Sequence, residues 1–260
     1  MSITQTELPK PKWASFIQTP KEVKLPKSIL LYGLPGTRKT SIAASIGQVP
    51  NFKKVLFIDI DNGAEVLAQR PEFADVSVLS INSLEGGAFA KLNAIIDDIT
   101  TVDYGYDAIV LDTLDVAQDV AEKHFKTKYE GTKNTFGVYG DLGQWTDEIV
   151  RKLHNSSFFT AIITAHAKEQ TSESGAYRII PRLSGSSKDT IGGIPSIVGY
   201  LSFLDDTEGK RRLVAVLGES EKTITKNRYS LPQSIADLTM PKLYDLIEAN
   251  TTTPAAKAAK

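Results

Sequence analysis

Residues 32–41 read YGLPGTRKTS. From Gly33 to Lys39 and Thr40 the spacing is that of G-x-x-x-x-G-K-[ST] at every position but the sixth, where Arg38 replaces glycine. The chemistry of such a loop is phosphate binding. A strand ends, a tight turn points backbone N–H groups inward, and a helix begins with its positive dipole end at the anion. The cradle would comprise Gly33, Leu34, Pro35, Gly36, Thr37, Arg38, Lys39, Thr40 and Ser41. Lys39 would reach the β- and γ-phosphates of ATP, and Thr40 would ligate Mg²⁺. Glycine is needed at the sixth position only where φ is positive or backbone approaches closely. Because Arg38 directly precedes Lys39, it is expected in a near-helical conformation with its side chain outward, leaving the cradle intact.

Phosphate chemistry of this kind needs carboxylates at the ends of buried strands. DAIVLDT places Asp112 after four apolar residues, where it would join Thr40 in holding the metal. VLFIDIDNG places Asp59 and Asp61 two apart, on one face of a strand. Asp61 is the candidate general base, orienting a water. Asp also favours caps and turns ahead of a glycine, so the segment before Gly63 has that second reading. It is too short for a calcium loop.

These residues need a scaffold, and the rhythm of the chain specifies one. Apolar runs at 28–32, 55–60, 76–81, 108–111 and 158–166 alternate with helical patterns at 39–47, 63–69, 84–100, 114–128 and 140–154. The nearly continuous apolar runs at 55–60 and 108–111 suit strands buried on both faces. The implied fold class is α/β, a three-layer core with a mainly parallel central sheet. Leu142, Trp145, Ile149 and Leu153 share one helix face. Residues 168–190 read as a long polar loop, 190–200 as a helix or turn, 212–217 as a strand and 241–249 as a short last helix. Residues 1–27, with four prolines, read as an extended arm, 28–250 as one domain, and 251–260 as a frayed tail.

Composition narrows the function. Thirty basic and thirty-one acidic residues give a net charge of −1, so nucleic-acid binding would rest on local patches. There is no cysteine, and His124, His154 and His166 are far apart, which disfavours thiol chemistry and structural zinc. With no apolar run of signal-peptide or membrane-span character, a cytoplasmic protein without membrane partners is expected.

Over residues 28–235 the chain resembles the RecA-like P-loop ATPases, and within them the phage-encoded ATP-binding proteins that act as single-strand annealing recombinases. The resemblance rests on the 33–40 loop, LFIDID, IVLDT, IITAH and TITKNRYS. It implies that Asp61 activates water, although the family mostly has Glu there, and that His166 senses the γ-phosphate. It also implies that Lys226 and Arg228 reach a neighbouring subunit's nucleotide, hence a ring or filament. Two loops of the family hold single-stranded DNA. The matching stretches carry Lys126, Lys128, Tyr129, Lys133 and Phe136, and Arg178, Arg182 and Lys188, although Glu169, Glu173 and Asp189 offset the second set. A single-strand DNA-binding protein is a further partner the resemblance suggests. Two other functions fit the residues: a nucleotide-binding scaffold that does not hydrolyse, and a small-molecule kinase with Arg178 and Arg182 in a lid.

Overall fold

The structure is a computed structural model, and it describes residues 12, 26–132, 134–171, 175, 177–205 and 208–252. The arm expected over 1–27 and the tail over 251–260 lie almost wholly outside the described residues, as does Lys133.

Strands β1 (Ser28–Gly33), β2 (Val55–Asp59) and β4 (Ala108–Asp112) are buried at every position, as their unbroken apolar runs require. They lie in one large sheet with β3 (Val76–Ser80), β5 (Thr160–Thr171), β7 (Ile197–Asp205), β8 (Arg211–Val216) and β10 (Ser234–Ala236). The order is β10-β8-β7-β1-β5-β4-β2-β3, parallel from β7 through β3 and antiparallel at β8 and β10. Successive side chains point to opposite faces. Leu30, Tyr32, Leu56, Ile58, Ile109 and Leu111 meet helices α3 (Ala88–Thr101), α4 (Leu114–Lys128) and α5 (Thr135–Asn155). Ile29, Leu31, Val55, Phe57, Ala108 and Val110 meet α1 (Lys39–Ala44), α2 (Glu65–Ala68) and α7 (Met240–Thr252). The three-layer α/β expectation holds, and Leu142, Trp145, Ile149 and Leu153 of α5 are buried together in the first layer.

Register builds the site. Gly33 pairs with His166, Asp59 with Asp112, and Leu111 with Ile163, so these strand ends share one edge of the sheet.

Three secondary-structure elements differ from the sequence reading. The stretch 168–190 is not one long loop. β5 continues to Thr171 and turns back as β6 (Tyr177–Pro181), with Ala167 opposite Pro181 and Thr171 opposite Tyr177, before the short helix α6 (Ser187–Thr190). A two-stranded ribbon at a sheet margin needs no apolar run, so its polar composition hid it. The stretch 190–200 holds only a 3₁₀ turn at Ile191–Gly193, after which β7 begins. Gly199 sits inside β7 because the sheet is crowded there: a Cβ would lie 2.9 Å from Leu217 Cδ2 and 3.0 Å from Leu31 Cδ2. Helix α5 starts at Thr135 rather than 140, capped by the Asn134 side chain, which accepts from the Gly137 N–H at 2.9 Å.

Candidate active site

The segment between β1 and α1 is a closed turn. Thr37 donates to the Leu34 carbonyl through its hydroxyl at 2.7 Å and through its N–H at 3.3 Å. Gly33 admits no side chain, since a Cβ would lie 2.6 Å from the Leu201 carbonyl oxygen and 2.7 Å from Thr37 Oγ1. Arg38 has φ 60° and ψ 24°, the left-handed region, against the near-helical conformation expected for it. The chain must reverse into α1 there, and glycine at that place in the motif meets the same demand. The Arg38 side chain is nevertheless exposed, as expected. Lys39 is buried, and its ammonium donates to the carbonyls of Gly33 at 3.1 Å and Leu34 at 3.2 Å. Burial lowers its pKa, against the opposing pull of Asp112, Asp115 and Asp61.

Thr40 Oγ1 donates to Asp112 Oδ2 at 2.8 Å, and the Thr164 hydroxyl donates to Asp112 Oδ1. Burial raises the Asp112 pKa; the two hydroxyls oppose this, while Asp59 and Asp61 add to it. A Cβ at Gly63 would stand 3.2 Å from Asp112 Oδ2 and 3.3 Å from Thr40 Oγ1, so glycine there keeps side-chain bulk away from both oxygens. A hydroxyl and a carboxylate in contact, all oxygen, suit a hard cation such as Mg²⁺. Among the described residues no group of three or more acidic or histidine side chains could hold a metal. Mg²⁺ meets that condition, because it keeps waters and takes phosphate oxygens beside one or two protein ligands.

Asp59 and Asp61 do not share a strand face. β2 ends at Asp59, whose buried carboxylate accepts from the N–H groups of Gly63 at 3.0 Å and Ala64 at 3.1 Å. The turn-capping reading therefore belongs to Asp59. Asp61 lies beyond the strand with its side chain 38% exposed, 3.8 Å from His166 Nε2. Burial raises its pKa, as do Asp115 and Asp59, while His166 and Lys39 oppose them. His166 is gripped from behind: Asp115 accepts from its backbone N–H and lies against its Nδ1, both at 2.9 Å.

A family model described as an AAA domain matches residues 25–229. The chain belongs to the AAA domain family. It is thereby a P-loop ATPase of the AAA type, and family membership implies nucleotide binding, typically with Mg²⁺. No curated protein matches the sequence. Among solved structures, the RadB recombinase is similar at 15% identity and TM-score 0.48, covering 81% of this chain and 86% of that one. A type III secretion ATPase from pathogenic bacteria is similar at 15% identity and TM-score 0.46, covering 68% of this chain. This chain spans about half of that protein, 52%. EscN of enteropathogenic E. coli, solved with its central stalk EscO, gives 15% identity, TM-score 0.45 and coverages of 69% and 43%.

In this AAA domain Lys39, Thr40, Asp61, Asp112 and His166 converge at one sheet edge. Lys226 and Arg228 do not join them within the chain. Strand β9 (Lys226–Asn227) pairs with Ile197 and Val198, and Ile197 pairs with Ile29, the opposite end of β1 from Gly33. There the Lys226 ammonium donates to the Gly193 carbonyl, and Arg228 is exposed. The basic residues of the other stretches are mostly paired. Lys126 bridges Glu122 at 2.7 Å, and Lys128 bridges Asp141 at 2.7 Å while lying 5.3 Å over the Tyr129 ring. Arg178 Nε donates to the Glu221 carbonyl at 3.0 Å, Arg182 is held by Asp115 and Asp119, and Lys188 is half-buried on α6. Phe136 is 89% exposed. The two stretches adjoin, since a Cβ on Gly185 would sit 2.7 Å from the Tyr139 carbonyl oxygen.

Sequence reasoning missed Asp115 and Thr164. Signals existed for both: Asp115 and Gln118 interrupt the buried stripe Leu114, Ala117, Val120 and Ala121, and Thr164 interrupts an apolar strand at the level of Asp112.

Proposed function

We propose that this AAA domain hydrolyses ATP while assembled head to tail as a ring or filament on single-stranded DNA, in recombination or strand annealing. The observation that carries hydrolysis is the 2.8 Å contact of Thr40 with Asp112, beside buried Lys39 and facing Asp61 and His166. Thr40 and Asp112 would hold Mg²⁺, which when bound neutralises charge on the phosphates. Lys39 exchanges two carbonyl acceptors for phosphate oxygens. Asp61, with its pKa raised by burial, is suited to accept a proton from water. Lys226 and Arg228 lie remote from their own loop, which is compatible with their serving a neighbour's, the role the family resemblance implies. A cation supplied in trans is worth about 10³–10⁵ in rate. DNA binding is supported by exposed Phe136, whose chain neighbour Gly137 packs on the Tyr129 ring, and by Lys126 and Lys128 on the preceding helix, since stacking plus phosphate pairing is what single strands require. No helix among the described residues is long and apolar enough to cross a membrane.

The kinase reading needs mobile lid cations. Two carboxylates hold Arg182 and a carbonyl holds Arg178, so that reading ranks behind. Phosphate release from MgATP, with and without single-stranded DNA, in the native protein and Lys39→Ala, tests the proposal. DNA-stimulated turnover lost in Lys39→Ala supports it. Nucleotide binding without turnover would instead establish a scaffold, and phosphate transfer to a small acceptor a kinase.

A further inference from the structure

We propose that Asp115 is a positioning residue for His166, fixing the ring so that its proton sits on Nδ1 and the Nε2 lone pair faces Asp61 and the phosphate loop. The inference deepens the hydrolysis reading and rests on it for the ring's use, although not for the ring's state.

Asp115 lies in the first turn of α4 with its side chain fully buried, a costly place for a carboxylate unless donors surround it. They do. The His166 N–H donates to Oδ1 at 2.9 Å, His166 Nδ1 lies 2.9 Å from Oδ2, and Arg182 reaches Oδ2 through Nε at 2.8 Å and Nη2 at 2.7 Å. One carboxylate thus holds both the backbone and the ring of His166, so the ring cannot turn without losing a contact to a buried anion. An anionic oxygen accepts only, which places a proton on Nδ1. In the neutral ring Nε2 is then the acceptor, and it is the nitrogen nearest Asp61, at 3.8 Å. Arg182 supplies the countercharge that keeps Asp115 ionised, and Asp119 accepts from the same Nη2 at 2.9 Å. The segment after β6 is therefore tied to the same carboxylate as the catalytic edge. Gln118, one turn further along α4, holds that segment too, accepting from the Ser184 N–H at 2.7 Å and donating to Ser187 Oγ at 3.0 Å.

The test is the imidazole ¹⁵N spectrum of nucleotide-free protein at a pH where the ring is neutral, with the three histidines assigned by single His→Gln replacements. The expected result is an Nδ1–H tautomer at His166, converting to Nε2–H in Asp115→Asn, whose amide can donate to Nδ1. An Nε2–H tautomer in the native protein overturns the proposal whether or not Asp115→Asn folds. An unchanged tautomer in a folded Asp115→Asn overturns it as well. In MgATP turnover, Asp115→Asn is expected to lower kcat by about 10–100-fold with little change in KM. Asp119→Asn, at an exposed carboxylate that contacts Arg182 Nη2 and not the His166 ring, is expected to leave both values within about threefold. A tautomer that switches as expected in a protein without turnover would uphold the positioning and reject hydrolysis, so the two failures are distinguishable.

Discussion

Arg38 provides a direct measure of what the phosphate loop asks of its backbone. At φ 60° and ψ 24° an L-residue brings Cβ against the following carbonyl, at a cost of roughly 1–2 kcal/mol. Arg38→Gly removes that cost. It also frees the unfolded chain, which returns about 0.4–1 kcal/mol. Taking the middle of each range leaves a net stabilisation of about 0.8 kcal/mol. Arg38→Ala keeps the Cβ and discards only an exposed side chain, so its stability should stay within about 0.5 kcal/mol of the native protein. Urea unfolding separates the two: the glycine variant's midpoint should rise at constant slope, with Tm higher by about 2–3 °C, and the alanine variant should stay near the native value. If alanine matched glycine, the gain would come from losing the arginine side chain and the left-handed strain would be no part of it. Nucleotide affinity is a separate readout. Because the side chain points to solvent, Kd for MgATP should change by less than about tenfold, near 1.4 kcal/mol. A larger gain in the glycine variant would mean that the arginine obstructs the phosphates.

Asp112→Asn should raise the urea midpoint of the nucleotide-free protein near neutral pH, since burial opposes the charge, while abolishing Mg²⁺-dependent turnover; unfolding and phosphate release report the two halves. Gly33→Ala should cost about 1–3 kcal/mol in urea unfolding, because its Cβ would stand 2.6 Å from the fixed carbonyl of Leu201. For Asp115, burial alone would raise the pKa, but the His166 ring and backbone donors, with Arg182, hold it down to about 2 from an ordinary 3.8. A depressed carboxylate contributes stability above its unfolded pKa and loses it as pH falls through the folded value. About 2 kcal/mol should therefore disappear between about pH 4 and 2 in the native protein, and that loss should be absent in Asp115→Asn.

The parts of the fold that were legible are those whose sequence pattern is set by burial alone. β1, β2 and β4 are covered on both sides, so every residue is apolar and the run announces itself. β7 was hidden because its glycine answers to packing against Leu31 and Leu217, which local sequence does not display. The first turn of α5 was hidden in the same way. Gly137 argues against a helix there, yet its Cβ would lie 2.7 Å from the Tyr129 ring and 2.8 Å from Asn134 Nδ2, so this glycine serves a close approach. Arg38 shows the reverse error. The motif's own glycine at that position was the local signal for positive φ, and it outweighed the prior for arginine.

At the candidate site, the convergence of Lys39, Thr40 and Asp112 was legible because the phosphate and metal chemistry proposed for them would dictate their types and spacing. Asp115 and Thr164 were not, because each acts on a partner that only the fold brings near. Electrostatics sorts the acidic residues in a way that sequence could not. Asp59 is satisfied by two backbone N–H groups, and Asp115 by His166 and Arg182. Asp112 and Asp61 instead have raised pKa values, with burial the leading cause for both. The capped pair thus shape the edge of the sheet, and the pair short of positive charge face the loop. Cations are what that second pair lacks. A ligand bringing Mg²⁺ would relieve Asp112, and a water giving up its proton would relieve Asp61, so the imbalance in the nucleotide-free protein favours the chemistry proposed for it.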